Sequence, residues 1–290
     1  MMWTVLSDNR TCNDQLQTEH GLSILLETEK HRILLDTGAS DVFIRNAERL
    51  RERLRVDASA GMKMGIDLST ADYVFISHGH SDHAGGLGFF MNINDKAKVI
   101  VSPHALNEKF FSNRKANKFE HYSKRKYLHS ITTQWPEGMN ERLLMVDQTC
   151  EIDDGLHIIA HIAHIYPMPQ GNSHLFVEDG NDYIPDDFRH ELALYTEGLL
   201  FTGCAHSGLE NILAACPYPV NAVVGGFHLL DDHETEDELI NLGQRLKKNY
   251  PNTKFYTSHC TGNTVYSIIE DVMGDQIRPF SCGTKIILTK

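Results

Sequence analysis

The sequence has 290 residues, 41% of them hydrophobic, which is enough for one large α/β domain or two small ones with a buried core. Its formal net charge of −12 argues against a protein that grips nucleic-acid phosphates nonspecifically, because such proteins present a basic surface. No stretch approaches the ~18 consecutive apolar residues that favour a membrane span.

Short apolar runs rich in Val, Ile, Leu, Phe and Tyr recur along the chain and predict β-strands. In chain order these runs are 3–6, 22–27, 32–36, 73–77, 98–102, 156–161, 174–178, 191–196, 199–203, 220–224, 253–257 and about 285–289. Apolar residues at helical spacing predict helices at 41–54, 84–91, 207–215, 234–248 and 262–273. Strands come in pairs early and alternate with helices later, which predicts an α/β protein whose sheets carry helices on their outer faces.

Residues 103–150 differ from the rest, since they are polar, basic and aromatic by turns. We find no repeat and no low-complexity linker, so we expect a single domain over 1–290 in which about 103–150 form an insertion, or lid, over one face. Within it, segment 109–126 interleaves Lys and Arg with Phe and Tyr. One hypothesis is that Arg114 and Arg125 grip an anionic substrate there. The alternative is a solvated amphipathic helix.

Segment 73–87, which reads YVFISHGHSDHAGGL, carries the strongest chemical signal. A predicted strand ends at Ser77, where a buried strand would fix the start of the following loop, and Gly79 lets that loop turn tightly. Four side chains of the types that bind metals then follow within six residues, namely His78, His80, Asp82 and His83. Imidazoles with a carboxylate suit zinc, iron or manganese. The pattern therefore predicts a metal site, with a His-rich surface loop as the alternative.

This motif resembles the HxHxDH signature of the metallo-β-lactamase superfamily. The resemblance implies that the first two histidines of the motif bind one metal ion and that the Asp-His pair binds a second. It also implies a role for Asp36, in RILLDTGAS, as the aspartate that orients ligands. Near the end of the chain, SHCTG places His259 where the family has a final histidine ligand.

Cys204, in LLFTGCAHSG, marks a departure from the family pattern. Most members have an aspartate here that bridges the two ions, so the sequence leaves the bridging ligand open. A metal ion would deprotonate the thiol and make Cys204 a ligand. The alternative is a small buried core residue.

Three further histidines are candidates for the site. The resemblance places His190 at about the position of the third ligand histidine. The alternatives are a surface histidine and one that lies behind the ligands and supports them. His206 follows Cys204 in a turn that opens a helix, and we expect it to be a ligand or an active-site residue. His228, in GGFHLL, follows a predicted strand and two glycines, and we expect it to act in the active site. We treat His20, like most of the other histidines, as an ordinary residue.

The resemblance narrows to one branch of the superfamily. The segments DDFRHELALYTEGLLFTGCAHSGLENIL, VVGGFHLL and SHCTG are similar to 7,8-dihydropterin-6-methyl-4-(β-D-ribofuranosyl)aminobenzene-5′-phosphate synthase-like proteins. The match runs from about residue 4 to the C-terminus and is weakest over 103–170. It implies an αββα four-layer sandwich and a small substrate that bears phosphate or resembles a pterin.

From the motif and the resemblance we expect a metal-dependent hydrolase, or a related displacement enzyme, that acts on a small anionic or phosphate-bearing molecule. We expect two divalent ions, zinc first and iron or manganese as alternatives, with Asp82 as both ligand and proton acceptor and with His206 and His228 beside it. His80 stands where flavin-linked di-iron relatives usually carry Glu, which favours hydrolysis. An iron-dependent oxidoreductase or oxygenase of the same fold and a non-catalytic metal- or ligand-binding sensor are the alternatives.

The six cysteines are scattered without a CxxC pair, as is typical of reduced thiols in the cytoplasm. The first ten residues lack the basic segment and apolar run of a signal peptide. We therefore expect a cytoplasmic protein whose partner is a small-molecule substrate rather than nucleic acid or a membrane. The sequence leaves the oligomeric state open.

Overall fold

The structure, a computed structural model, describes residues 1–56, 66–114, 128–229 and 233–288. The helices in these ranges are α1 Val42–Val56, α2 Ser81–Ala84, α3 Leu87–Ile93, α4 Pro103–Asn107, α5 Leu209–Ala215, α6 Glu236–Asn249 and α7 Asn263–Met273. The strands are β1 Met2–Ser7, β2 Ser23–Glu27, β3 Arg32–Leu35, β4 Tyr73–Phe75, β5 Lys98–Val101, β6 Phe110–Ser112, β7 His129–Ser130, β8 Leu143–Met145, β9 Cys150–Asp153, β10 Leu156–Ile159, β11 Leu175–Asp179, β12 Asp182–Pro185, β13 Ala193–Thr196, β14 Leu199–Phe201, β15 Ala222–Val224, β16 Lys254–Thr257, β17 Ile277–Pro279 and β18 Lys285–Ile287.

Two sheets of seven strands have matching topologies. The first has the order β18-β1-β2-β3-β4-β5-β8, and the second has the order β17-β16-β15-β14-β13-β10-β9. In the first sheet β3, β4, β5 and β8 run parallel, and in the second β14, β15, β16 and β17 do. The remaining pairs are antiparallel. Each sheet therefore combines hairpin pairs with a parallel half.

Three apolar clusters show that the sheets form a four-layer sandwich. Alternate strand residues such as Leu35 and Phe201 pack between the two sheets. Leu34, which points the other way, packs with α1 and α3 on the outer face of the first sheet. Leu200 packs with α5, α6 and α7 on the outer face of the second. This period-2 alternation buries both faces of each sheet, and the expected αββα architecture is confirmed.

Each predicted strand overlaps an observed strand, and each predicted helix overlaps an observed helix. Six short strands escaped prediction, among them β6, β7 and β12. These three join β11 in a separate four-stranded sheet of order β12-β11-β6-β7. Within 103–150, β6 and β7 belong to this small sheet, whereas β8 is the edge strand of the first large sheet. Among the described helices, none combines the length and the apolar character needed to cross a bilayer.

The parallel strands bring the chemically interesting residues to one edge of the sandwich. Asp36 follows β3, and the motif that begins at His78 follows β4. In the second sheet, Cys204 follows β14, His228 follows β15 and His259 follows β16. Because the carboxyl ends of parallel strands meet at the same edge of a sheet, these side chains converge there from both sheets.

Candidate metal centre

One group of ligand-type atoms consists of three histidines. The ligand atoms of His78, His80 and His206 lie within 4.8 Å of one another, and all three side chains are buried. The Nε2 atom of each ring has no hydrogen-bond partner within the described ranges, and the nearest carboxylate contact of this set is Asp186 Oδ2, 3.7 Å from His80 Nε2. Burial and neighbouring imidazoles lower the pKa of His78 and His206 well below the usual range, so both rings are neutral. Three clustered imidazoles, each with an Nε2 atom that no described group hydrogen-bonds, are a ligand set for a divalent cation.

Asp36 orients two of the rings, His78 through Ser77 and His83 directly. This buried carboxylate accepts hydrogen bonds from the Ser77 backbone N–H at 2.7 Å and the Ser77 hydroxyl at 2.7 Å. Since the hydroxyl donates to Asp36, it accepts from His78 Nδ1, which lies 2.9 Å away. The ring of His83 donates from Nδ1 to Asp36 at 2.6 Å. Both rings therefore carry their proton on Nδ1 and present an Nε2 lone pair, as a metal ligand requires.

A second group lies beside the first and contains four side chains. His83 Nε2 lies 3.0 Å from Cys204 Sγ and 3.0 Å from His259 Nε2. Asp82 Oδ2 lies 3.8 Å from His83 Nε2 and 3.4 Å from His259 Nε2. A tetrahedral zinc ion with bonds of about 2.0–2.3 Å has ligand atoms about 3.3–3.8 Å apart. The two Asp82 distances match this spacing, and the two 3.0 Å distances from His83 Nε2 are slightly shorter than it.

The electrostatics of this second group also favour a cation. Two acceptor nitrogens 3.0 Å apart need a proton or an ion between them. Burial by itself lowers the pKa of His259, but the hydrogen bond to Asp82 and the charges of Cys260, Asp82 and Asp8 outweigh it and raise the pKa to about 9. Burial, together with Cys260, raises the pKa of Cys204 well above its usual range. A cation would be needed to make that thiol a thiolate at neutral pH.

The two groups adjoin. The ligand atoms of His78, His83 and Cys204 also lie within 4.8 Å of one another, and the ring centroids of His78 and His83 are 4.2 Å apart. The structure thus brings together His78, His80, Asp82, His83, Cys204 and His259 from the sequence-predicted ligands, and His206 from the predicted active-site residues.

His190 has a different environment from the one expected of a ligand. Its Nδ1 accepts from the Gly79 backbone N–H at 3.1 Å, and its Nε2 lies 3.1 Å from Asp186 Oδ2. Both ring nitrogens are therefore engaged with protein groups, although His80, Asp186 and His190 together form a third group of ligand-type atoms. The group that contains His78 and His80 is completed by His206. Asp186 lies in no recognisable sequence motif, so the sequence analysis did not single it out.

The loop that carries Cys204 and His206 is held by Glu191. This buried carboxylate accepts from the backbone N–H groups of His206 and Ser207, each at 2.7 Å. Burial raises the pKa of Glu191 to about 7 even though both N–H groups favour its charged form. His228 lies next to His206, with ring centroids 4.1 Å apart, and its Nδ1 has no hydrogen-bond partner in the described part of the chain.

His20, which the sequence analysis treated as an ordinary residue, lies beside the second ligand group. Its Nε2 is 3.3 Å from Asp82 Oδ2, and its ring stacks on His259 with centroids 5.1 Å apart. No local motif surrounds His20, because it reaches Asp82 through the folding of the β1–β2 connection. Sequence spacing therefore held no signal for it.

A cavity of about 210 Å³ opens onto both groups. Arg114, His129 and His174 line it together with Asp82, His206 and His228. Arg125 lies outside the described residues. Gly79 proves important for a reason other than the expected turn, because a Cβ there would lie 2.3 Å from the ring of Phe110, on β6. The small sheet thus packs directly on the loop that carries His78 and His80.

Comparison with known proteins supports the fold. A family model described as the metallo-beta-lactamase superfamily matches residues 17–182. An uncharacterized protein of Methanocaldococcus jannaschii is 28% identical over 269 residues, which cover 90% of this chain and 91% of the relative. A second relative from that organism, named 7,8-dihydropterin-6-methyl-4-(beta-D-ribofuranosyl)-aminobenzene-5′-phosphate synthase, is 27% identical over 278 residues, which cover 90% and 87%. A solved structure described as a metal-dependent hydrolase of the beta-lactamase superfamily is 25% identical, with a TM-score of 0.76 and full coverage of both chains.

Proposed function

Because this chain belongs to the metallo-beta-lactamase superfamily, we propose that it is a metal-dependent hydrolase with two divalent ions, zinc first among the candidates. His78, His80 and His206 hold one ion, and the group of Asp82, His83, Cys204 and His259 holds the other. The observation that carries the proposal is the set of three buried Nε2 atoms without hydrogen-bond partners among the described residues, clustered beside four further ligand atoms.

Such ions, when bound, supply a water of lowered pKa as nucleophile and a Lewis acid for the oxygen that gains charge. The protein's own groups handle protons and position the substrate. Burial raises the pKa of Asp82, but His83 and His259 outweigh it and hold the pKa well below its usual range, so the carboxylate stays ionised. It keeps 21% exposure at the cavity, so as a proton acceptor it would act through its position beside the substrate and not through a high basicity. His228 Nδ1, which has no hydrogen-bond partner among the described residues, lies at the cavity wall and can donate to a substrate oxygen.

We propose a small anionic substrate. The net charge of −12 repels anions at long range, although salt screens this beyond roughly 8–10 Å, so a local cation is needed to recruit one. Arg114 supplies that cation at the cavity wall. The printed name of one relative includes a 5′-phosphate, which is the kind of group that a guanidinium binds through charge-assisted hydrogen bonds.

The zinc-reconstituted protein is expected to hydrolyse a chromogenic phosphodiester, and Arg114→Ala is expected to raise KM for it by about 10- to 100-fold, since a hydrogen bond to a charged group is worth about 1.5–3 kcal/mol. The kcat value and the metal content should change little, because the lost contact is shared by ground and transition states. The effect should shrink as salt rises. Steady-state kinetics in low and high salt measures all three.

Lys109→Ala is the matched control, because it removes the same charge from the other end of β6, where Lys109 Nζ pairs with Glu178 at 2.7 Å. A neutral lactone or ester that turns over best, with Arg114→Ala behaving as wild type, would refute the anionic substrate. Two bound ions without turnover of phosphodiester, lactone or ester would instead point to a sensor.

A further inference from the structure

Two asparagines make the same pair of contacts with two of the ligand histidines. Asn9 Oδ1 lies 3.0 Å from His259 Nδ1, and Asn9 Nδ2 donates to the backbone carbonyl of His259 at 3.1 Å. Asn172 Oδ1 lies 3.1 Å from His206 Nδ1, and Asn172 Nδ2 donates to the backbone carbonyl of His206 at 2.7 Å. Each asparagine side chain thus contacts both the ring and the backbone carbonyl of one histidine. We call this arrangement an asparagine clamp.

The clamp fixes the tautomer of the ring. A carbonyl oxygen can only accept a hydrogen bond, so the amide nitrogen of each asparagine must face it, which assigns the amide orientation from the network. The amide oxygen is then left facing Nδ1 of the ring. An oxygen can only accept, so Nδ1 must carry the proton, and a neutral ring then has its lone pair on Nε2.

Each clamp serves a different ligand group. His259 Nε2 belongs to the second group, 3.0 Å from His83 Nε2 and 3.4 Å from Asp82 Oδ2. His206 Nε2 belongs to the first group and has no hydrogen-bond partner within the described chain. The asparagines therefore do for these two rings what Asp36 and Ser77 do for His83 and His78.

Asn9 holds a further part of the second group. Its Nδ2 also lies 3.2 Å from His20 Nδ1, and the Gly21 backbone N–H donates to its Oδ1 at 3.4 Å. With Nδ1 of His20 accepting from the amide, the proton of a neutral His20 lies on Nε2, which faces Asp82 Oδ2 at 3.3 Å. One amide thus orients His259 directly and supports Asp82 through His20.

We propose that Asn9 and Asn172 are positioning residues, one for each ion, that keep His259 and His206 in the tautomer a metal ligand needs. The inference rests on the proposed two-ion centre. It is independent of the reaction and the substrate, because its test measures metal affinity and not hydrolysis.

The test is a Co²⁺ titration of the metal-free protein with a competing chelator. A sulfur-to-cobalt charge-transfer band reports the ion beside Cys204, and Cys204→Ser identifies that band by abolishing it. Removing a partner that orients a ligand typically costs 10- to 100-fold in metal affinity. Asn9→Leu is therefore expected to weaken the site that gives the band by about 10- to 100-fold and to spare the other. Asn172→Leu is expected to do the reverse.

The spared site in each variant shows that the fold is intact. Asn9→Asp and Asn172→Asp retain an acceptor for Nδ1 but lose the donor to the carbonyl, so their affinities should fall between wild type and the Leu variants. Asn113→Leu is the matched control, since Asn113 Oδ1 lies 2.9 Å from Nδ1 of His174, a histidine outside both ligand groups. Equal weakening of both sites in each variant, or of neither, would overturn the proposal. A wild-type protein that binds no cobalt would instead defeat the two-ion centre itself.

Discussion

Replacing His78 and His80 together with alanine is expected to remove one of the two ions and to lower turnover by roughly 10³-fold or more. The two rings supply two of the three bare Nε2 atoms in the first group, and His206 alone cannot hold a divalent ion against water. Lewis-acid stabilisation and an acidified nucleophile are each worth several kcal/mol, and each 1.36 kcal/mol is a factor of ten in rate. Elemental analysis and kinetics on the same samples measure both effects.

The double variant His104→Ala and His164→Ala is the control, because it removes two histidines that lie outside both ligand groups. It should keep two ions per chain and wild-type turnover. Unchanged metal content after loss of His78 and His80 would refute the first ligand group.

Asp36→Asn is expected to lower the binding affinity for each of the two ions by about 10- to 100-fold while leaving the fold intact. The Ser77 backbone N–H can only donate, so the amide oxygen must face it and the amide NH2 must replace Oδ2. That NH2 would then meet His83 Nδ1 and the Ser77 hydroxyl, which now accept. The freed hydroxyl proton turns to His78 Nδ1. Both rings are thus driven to the tautomer with a protonated Nε2, which opposes metal binding.

Isothermal titration with Zn²⁺ measures the two affinities, and thermal unfolding of the metal-free protein checks the fold. Asp95→Asn, on the surface, makes the same change in charge and should bind zinc as wild type does. Wild-type zinc affinity in Asp36→Asn would show that the aspartate does not govern the two rings.

Sequence reasoning located the part of the site that one local motif encodes. His78, His80, Asp82 and His83 follow a strand within six residues, so their convergence needs only a rigid strand end. The strand predictions succeeded for a related reason. Long apolar runs such as that of β2 are buried on both faces, and burial leaves a strong compositional signal.

Only the fold shows which of His190 and His206 lies in one group with His78 and His80. The chain turns sharply after β14, where Gly203 has φ 59° and Ala205 has φ 56°. That turn carries His206 to His78 and His80, whereas His190 is engaged by Gly79 and Asp186. Backbone turns of this kind depend on tertiary contacts, here the two N–H groups held by Glu191.

The asparagine clamps and three strands of the small sheet, β6, β7 and β12, were missed because none of them has a local pattern. Asn9 and Asn172 are single residues far from the motif, and only the fold brings them to their histidines. In the small sheet, β7 has two residues and β12 is exposed along its length. Such short strands leave no period-2 alternation long enough to read.

Anomalous diffraction at the zinc edge from crystals of the zinc-loaded protein tests the two-ion centre most directly. The account predicts two peaks. The ion at one peak should be coordinated by Nε2 of His78, His80 and His206. The ion at the other should be coordinated by Asp82, His83, Cys204 and His259. A single peak, a Cys204 sulfur directed away from both peaks, or His190 in place of His206 would contradict it.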